Sequence, residues 1–268
     1  MSSFVPPLHL SPSSIGTFND CPLKFRYNKI DMLPDPSNHW AVLGNLVHDI
    51  LEDVYKLPAE MRTQENAKSI ATKMWKEKWE EEIDRILPGF KSWYKINTKD
   101  SRVVINTFKR LALNCVENLW EIENPQQIEP IGLEYELNGE IAGVRLKGFI
   151  DRYSQTEGKT SLTISDYKSG KTPREYDLDG KFSQLLIYAK LIMNLGIGDV
   201  DKLELMYLAE PIKFVKEVTH SDISRLEEMI VETKSKIDER CRNQYFEPIK
   251  SGLCNFCNYK MICPAWGG

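Results

Sequence analysis

Three features are missing from this sequence: an excess of basic residues, a long hydrophobic run and an amino-terminal targeting segment. The 35 lysines and arginines are outnumbered by 39 aspartates and glutamates, a formal net charge of −4, whereas passive nucleic-acid binders are usually strongly basic. Nucleic acid is not excluded, because a local basic groove can lie on an acidic protein. The longest apolar stretches, such as 185–195, are far shorter than the roughly 20 residues of a membrane-spanning helix.

The first residues lack the basic start and apolar core of a secretory signal peptide. We therefore expect a cytoplasmic protein without membrane association, in a compartment where thiols stay reduced. The six cysteines then need an explanation other than disulfide bonds. With 41% apolar and 28% charged residues, the composition is that of an ordinary globular protein, which excludes a disordered, collagen-like or coiled-coil chain.

Hydrophobic periodicity divides the chain into a mainly helical portion, 13–125, and a strand-rich portion, 130–245. A short cysteine-rich segment, 250–266, follows. Strands joined by a crossover helix favour an α/β sheet flanked by helices. We expect residues 1–268 to form a single domain.

Local signals also predict individual boundaries. A first helix is expected over 13–27, and Pro88-Gly89 is expected to break the helical pattern. Two strands, 131–137 and 141–153, are predicted to form a hairpin around Asn138-Gly139, because this dipeptide is the strongest short hairpin signal.

The densest chemical signal is a pair of aspartates with a lysine on neighbouring predicted strands. Asp166 and Lys168 project from one face of a strand, because side chains alternate, and Asp151 is expected to end the preceding strand beside Asp166. Two carboxylates with a lysine suit a divalent cation that keeps open positions for water and phosphate. The residues alone leave open a second interpretation, a solvated aspartate–lysine pair near a strand end.

Three cysteines close the chain with the spacing Cys254-x2-Cys257-x5-Cys263. In a reduced compartment, thiolates so close together indicate a metal rather than disulfides. An iron–sulfur cluster, a structural zinc ion and unliganded thiols remain open, although zinc sites typically use two separate CxxC pairs and this chain has one. A fourth ligand must come from elsewhere in the chain.

In their order and combination, these motifs resemble the PD-(D/E)XK nucleases. The closest resemblance is to the RecB-like branch, which includes the CRISPR adaptation nucleases and related phage exonucleases. It implies a restriction-endonuclease-like mixed sheet flanked by helices. The segments that carry the resemblance are Asp151, Asp166-Tyr167-Lys168, the histidine motif at 44–48, the QxxxY motif at 184–188, and the cysteines.

The resemblance implies a catalytic metal site. The catalytic set would be Asp151, Asp166 and Lys168, with Lys168 orienting the attacking water. Mg²⁺ or Mn²⁺ would be bound by His48, Asp151, Asp166 and the main-chain carbonyl of Tyr167. Glu134, on the preceding strand, is a candidate for a further acidic contact, although an exposed strand residue is its more ordinary role.

The resemblance also implies roles for a helix pair and for the cysteines. Gln184 and Tyr188, four residues apart on one helix face, would face the active site and position DNA or the catalytic lysine, although Tyr188 also fits a core aromatic. A 4Fe–4S cluster would be held by Cys21, Cys254, Cys257 and Cys263.

The function predicted is metal-dependent hydrolysis of DNA phosphodiester bonds, with exonuclease action on single-stranded DNA or DNA ends and a structural iron–sulfur cluster. Protein partners in recombination, replication or CRISPR adaptation are expected candidates. The alternative is a DNA-binding or processing subunit of a larger repair, recombination or CRISPR-adaptation complex. A weaker alternative, an iron–sulfur electron carrier, leaves the aspartates and lysine unexplained.

Overall fold

The computed structural model describes residues 4–267. The helices are α1 (Pro12–Asp20), α2 (Pro22–Lys29), α3 (His39–Lys56), α4 (Gln64–Met74), α5 (Glu80–Trp93), α6 (Ser101–Glu117), α7 (Leu119–Ile122), α8 (Leu178–Asn194) and α9 (His220–Asn243). The strands are β1 (Pro130–Ile141), β2 (Val144–Gln155), β3 (Leu162–Lys168), β4 (Val200–Tyr207) and β5 (Ile212–Glu217). No helix within residues 4–267 combines the length and hydrophobicity needed to cross a bilayer.

The helix expected over 13–27 is in fact two helices, α1 and α2, separated by Cys21. Cys21 is extended, with φ −164° and ψ 104°, because a residue before proline is disfavoured in the helical region. Pro22 is the first residue of α2, where the missing N–H leaves no hydrogen bond unmade. Cys21 therefore lies at a helix boundary, where its sulfur can be reached by other parts of the chain.

The helix break expected at Pro88-Gly89 is wrong, because α5 continues through both residues. A proline inside a helix costs about 3 kcal/mol, so other interactions must hold the helix together. Phe90, which follows this pair directly, is buried and packs edge-on against Phe108 of α6, with ring centroids 5.1 Å apart. Packing of the apolar face of α5 thus overrides the local sequence signal.

The strands form one mixed sheet in the order β1-β2-β3-β4-β5. β3 and β4 run parallel, and the other neighbours are antiparallel. Helix α8 connects the parallel pair, which cannot be joined by a tight turn. The predicted class, an α/β sheet flanked by helices, is confirmed.

The β1–β2 hairpin turns at Ala142-Gly143 rather than at the predicted Asn138-Gly139. Both turn residues have positive φ, 47° and 81°, as a two-residue type I′ turn requires. Asn138 and Gly139 lie within β1, paired with β2. A Cβ at Gly139 would lie 3.1 Å from the side chain of Leu191 on α8, so this glycine permits close helix–sheet packing.

Helices cover both faces of the sheet and enclose two hydrophobic cores. One core lies between the sheet and α1, α2, α8 and α9, and the other between the opposite face and α3 to α6. Leu205 and Met206, neighbours on β4, belong to different cores, because successive strand side chains point to opposite faces. The central strand β3 is buried along six of its seven residues, so its charged groups are largely shielded from solvent.

Candidate functional site

The β1–β2 ladder is interrupted where Glu134 and Asp151 face each other. Within the described hairpin, backbone pairing continues on both sides and skips these two residues. Ile150 packs in the core under α8, whereas Arg152, two residues later, lies over the Tyr167 ring of the other core. Glu134 has φ +41°, which costs a non-glycine residue roughly 1–2 kcal/mol. Asp151 was expected to end its strand, but it lies at this interruption inside β2.

A histidine from α3 joins the two carboxylates. The Nδ1 atom of His48 lies 3.5 Å from Asp151 Oδ1 and 3.7 Å from Glu134 Oε1. Ligand atoms of these three residues all lie within 4.8 Å of one another. On the other side of the ring, Nε2 lies 2.8 Å from the main-chain oxygen of Tyr167. The structure therefore brings together His48, Asp151 and the Tyr167 carbonyl, and it adds Glu134 to them.

Asp166 and Lys168 lie on β3 beside this cluster. Lys168 Nζ is 2.6 Å from Asp166 Oδ2, so the ammonium and the buried carboxylate form an ion pair. Burial raises the pKa of Asp166 to about 6, and the Asp151 carboxylate acts in the same direction against the attraction of Lys168. The carboxylates of Glu134, Asp151 and Asp166 outnumber the two basic groups beside them, His48 and Lys168, and this excess of negative charge suits a bound cation.

The charges of Asp151 and His48 stabilise each other. Burial would raise the pKa of Asp151, but His48, Lys168 and the N–H of Tyr167, which donates at 2.7 Å, hold that pKa below its ordinary value. Burial would lower the pKa of His48, but Asp151 and Glu134 outweigh this effect and raise it well above 6.5. A metal ion must displace the proton that this histidine holds, because ligating imidazole is neutral.

Gln184 and Tyr188 share one face of α8, as their spacing predicts. Nε2 of Gln184 donates to the Tyr188 hydroxyl at 3.0 Å. Burial raises the pKa of Tyr188 to about 12, and Asp166 and Asp151 add to this rise, so the hydroxyl is within electrostatic reach of both carboxylates. Gly148 on β2 makes room for the ring, since a Cβ there would lie 2.6 Å from it. Tyr188 is thus both a buried core aromatic and part of the wall of the site.

A buried ionic network, absent from the sequence-based expectations, lies behind the site. Arg152, 1% exposed, donates to both carboxylate oxygens of Glu123 and, at 3.1 Å, to the Ser165 hydroxyl. Its guanidinium lies 5.7 Å from the centre of the Tyr167 ring. The same tyrosine presents its main-chain carbonyl to His48. The network therefore holds the backbone that carries part of the site.

Glu123→Gln is expected to lower the free energy of unfolding by about 3 kcal/mol, the lower end of the loss for a broken buried ion pair, because the buried Arg152 charge keeps only Glu204, 4.0 Å away, as a carboxylate partner. Urea unfolding at neutral pH measures the loss. Glu77→Gln is the matched control, since Glu77 and its partner Lys73, 4.0 Å away, are both exposed, and such exposed pairs contribute about 0–1 kcal/mol. Equal losses in both variants would contradict a structural role for the Arg152–Glu123 pair.

The predicted cysteine set lies in one place. A single cavity is lined by Cys21, Cys254, Cys257 and Cys263. The N–H of Ser251 lies 3.4 Å from Cys254 Sγ and lowers the pKa of that thiol. In the described chain, no three of the four sulfurs lie within 4.8 Å of one another. A zinc ion with bonds of about 2.3 Å would hold its sulfurs about 3.8 Å apart, so this spacing is wide for a single zinc ion.

Comparisons with known proteins place the chain in a family. A model of the PD-(D/E)XK nuclease superfamily matches residues 9–264. The chain is 24% identical to the Gene 69 protein of Mycobacterium phage L5 over 289 aligned positions, with 96% of each chain covered. It is 27% identical over 211 positions to one subunit of an ATP-dependent helicase/deoxyribonuclease of Carboxydothermus hydrogenoformans, covering 69% of this chain but 18% of that much longer protein.

A solved structure shares the fold. The Eubacterium rectale protein called "Putative exonuclease" aligns with a TM-score of 0.55 at 15% identity, over 94% of this chain and 88% of that one. The likeness covers the helical portion as well as the mixed sheet, and it agrees with a restriction-endonuclease-like architecture. Because the family model spans nearly the whole sequence, from the segment before α1 to the last cysteine, the chain belongs to the PD-(D/E)XK nuclease superfamily.

Proposed function

We propose that the protein is a metal-dependent deoxyribonuclease whose catalytic residues are Asp151, Asp166 and Lys168. The observation that carries the proposal is the buried ion pair of Asp166 and Lys168, 2.6 Å apart, next to a second buried carboxylate, that of Asp151. The adjacent cluster of His48, Glu134 and Asp151 supports it, as does membership of the nuclease superfamily. A structural ion pair of Asp166 with Lys168 needs no second buried carboxylate beside it, so a purely structural role would leave Asp151 unexplained.

The donor set fits Mg²⁺ or Mn²⁺, because carboxylate and carbonyl oxygens suit these cations. We assign the ligands to His48, Asp151, Asp166 and the Tyr167 carbonyl, with Glu134 as an additional acidic contact. When bound, the cation would lower the pKa of a water molecule and neutralise charge that develops on the phosphoryl group.

Lys168 provides the positive charge that belongs to the chain itself. Burial would lower the pKa of Lys168, but Asp166 and Asp151 outweigh burial and raise it, so the side chain stays an ammonium. It cannot act as a general base in that form. With 33% of its side chain exposed, it can orient the attacking water and stabilise charge on a phosphate oxygen.

We further infer exonuclease action on single-stranded DNA or DNA ends. Support comes from two relatives, the Eubacterium rectale protein called "Putative exonuclease" and the Carboxydothermus helicase/deoxyribonuclease subunit. Gln184 and Tyr188 are assigned to positioning the strand, because they line the groove that opens beside the carboxylates.

The four cysteines are assigned to a structural 4Fe–4S cluster. Thiolates suit both zinc and iron–sulfur clusters, but the wide spacing of the sulfurs supports a group larger than one metal ion. When bound, the cluster would supply a covalent link between the α1–α2 junction and the carboxyl-terminal tail. No step of the proposed hydrolysis depends on it.

A second candidate function is that of a nuclease subunit in a larger repair, recombination or CRISPR-adaptation assembly. The observation that favours it is the match to 18% of a helicase/deoxyribonuclease subunit, in which a segment similar to this chain is part of a much longer protein.

The proposed function is tested with end-labelled single- and double-stranded DNA, Mg²⁺ or Mn²⁺, and anaerobically purified protein. We expect cleavage that stops in chelator and in Lys168→Ala. Lys159→Ala is the control, since Lys159 precedes β3 at the end opposite Lys168 and pairs with Asp201 at 2.6 Å. Label position distinguishes an exonuclease, which releases short products from an end, from an endonuclease.

Absence of cleavage on every DNA, from protein that is folded and loaded with metal, would contradict a stand-alone nuclease. Cleavage that survives Lys168→Ala would contradict the site. Cleavage that appears only after addition of a helicase-containing cell fraction would favour the role within a larger assembly.

A further inference from the structure

A groove of about 460 Å³ opens beside the proposed active site, between the segment before α1, strand β2 and helix α8. The segment is attached to β2 at Leu10, whose N–H donates to Arg145 at 3.0 Å and whose carbonyl accepts the Lys147 N–H at 2.8 Å. This attachment keeps one wall of the groove in place along the sheet. The side chains that the argument uses are His9, Lys29, Lys147, Phe149, Gln184 and Tyr188.

The charged groups that line the groove are all basic. Lys29 and Lys147 line it together with His9 and three serine hydroxyls, and no carboxylate of the described chain is among the lining residues, although acidic residues outnumber basic ones in the sequence. Lys147 pairs with Glu136 at 3.0 Å, and both side chains are about half exposed. Lys29 is exposed and forms no ion pair within residues 4–267. This lining suits an anionic ligand.

Phe149 adds an aromatic surface to this lining. It is 47% exposed, and the Lys147 ammonium lies 5.9 Å from its ring centre. Basic residues that follow a backbone, together with aromatic rings on which bases stack, are the two elements of single-strand binding surfaces. Double-stranded DNA offers its bases no such contact, because they are stacked inside the duplex.

The groove lies next to the proposed catalytic site, because Phe149, which lines it, lies two residues before Asp151 on β2. Gln184 and Tyr188 line it, and the Tyr188 hydroxyl is close enough to Asp166 and Asp151 for their charges to raise its pKa. A strand that passes Tyr188 on its way from the carboxylates therefore enters the groove.

We propose that this groove binds the nucleotide adjacent to the scissile bond in single-stranded DNA, with a phosphate between Lys29 and Lys147 and a base on Phe149. The proposal rests on the proposed nuclease function and identifies the surface along which its DNA substrate would bind. Two consequences follow: affinity for single strands depends on salt through Lys147, and it depends on base stacking through Phe149.

The test measures binding of a fluorescein-labelled single-stranded oligonucleotide by anisotropy, in full-length Lys168→Ala protein with Mg²⁺, at several salt concentrations. Adding Lys147→Gln is expected to reduce the slope of log affinity against log salt by about 0.7, the value for one phosphate contact on a single strand. Adding Phe149→Ala is expected to weaken binding about 5- to 150-fold with the slope unchanged. Lys159→Gln is the matched control, because Lys159 is also about half exposed and paired with one carboxylate.

An unchanged slope in Lys147→Gln, an equal reduction in Lys159→Gln, or full affinity in Phe149→Ala would overturn the groove proposal. If the otherwise unaltered protein still cleaves DNA in that case, the nuclease function stands and the substrate track lies elsewhere. If the protein neither cleaves nor binds DNA, both proposals fail.

Discussion

Asp166→Asn is expected to reduce DNA cleavage by about 10²–10³-fold or more, because it removes a proposed ligand of the cation that would stabilise transition-state charge. The same change is expected to make the metal-free protein more stable. A residue that contributes only to the fold would show the opposite pattern, a loss of stability with little direct effect on turnover. The two measurements together therefore separate function from structure at this position.

The stability gain follows from the environment of the carboxylate. Burial raises the pKa of Asp166 to about 6, with Asp151 adding to the rise, and the nearby Lys168 only partly offsets it. At about 1.4 kcal/mol per pKa unit, this rise means that the ionised carboxylate destabilises the metal-free folded protein by roughly 3 kcal/mol, compared with the same group in the unfolded chain. Asparagine has the same shape without the charge, so it removes this cost.

The sign of the pH dependence follows from the raised pKa. Between about pH 4 and 6 the folded protein binds a proton at Asp166 that the unfolded chain has lost, so the unaltered protein becomes less stable as pH rises through this window. The advantage of Asp166→Asn is therefore expected to be full at pH 8 and to disappear near pH 4. Urea unfolding in chelator at both values measures it.

Asp179→Asn provides the control, because Asp179 is 94% exposed and its replacement should leave both activity and stability unchanged. An Asp166→Asn protein that is less stable than the original at pH 8 would contradict the argument. It would mean that the attraction between Asp166 and Lys168 stabilises the fold by more than the burial of the ionised carboxylate destabilises it.

The elements of the fold were predictable where local signals and packing agree. The strand at 162–168 and the helix with Gln184 and Tyr188 follow directly from alternation and helical periodicity. Two local signals failed because contacts distant in sequence override them. Gly139 makes room for α8 instead of forming a turn, and α5 continues through Pro88 because its apolar face is buried.

The site shows the same division. Asp151, Asp166 and Lys168 could be selected from two short strands and a family resemblance. Arg152 could not, because strict alternation from Ile150 would place both side chains on one face. The interruption of the β1–β2 ladder at Glu134 and Asp151 moves the Arg152 side chain to the opposite face of the sheet. It depends on the positive φ of Glu134, and no residue in this segment is of a type that predicts such a backbone conformation. The groove before α1 likewise exists only once Leu10 is paired with β2.

Cys21→Ser is expected to remove the visible absorbance that an iron–sulfur cluster gives. It is also expected to lower the free energy of unfolding by about 5 kcal/mol, the value for a cross-link from residue 21 to residue 254 that restricts the unfolded chain. The tail offers little to replace it. It consists of short 3₁₀ turns whose side chains are mostly exposed, with Tyr259 the buried exception. Limited proteolysis should then cleave after residue 250 in the variant first.

Cys115→Ser is the matched control, because Cys115 lies buried in α6, outside the cysteine cavity, and burial there raises its pKa to about 11. Metal analysis of both variants under anaerobic conditions separates the alternatives. Iron and sulfide lost from Cys21→Ser but kept in Cys115→Ser support the cluster, whereas one zinc ion per chain in the original protein would contradict it.

Cleavage activity of the Cys21→Ser protein decides what the cross-link is for. The cysteine cavity is formed by the α1–α2 junction and the tail, and the segment before α1 is also the wall of the proposed DNA groove. If the cluster only fastens the tail, metal-dependent cleavage of a short oligonucleotide should persist at temperatures where the variant remains folded. If it also holds α1 in place, affinity for single strands should fall while the Asp151–Asp166–Lys168 site keeps its metal dependence. In that case the position of α1 would link the proposed iron–sulfur cluster to DNA binding in the groove.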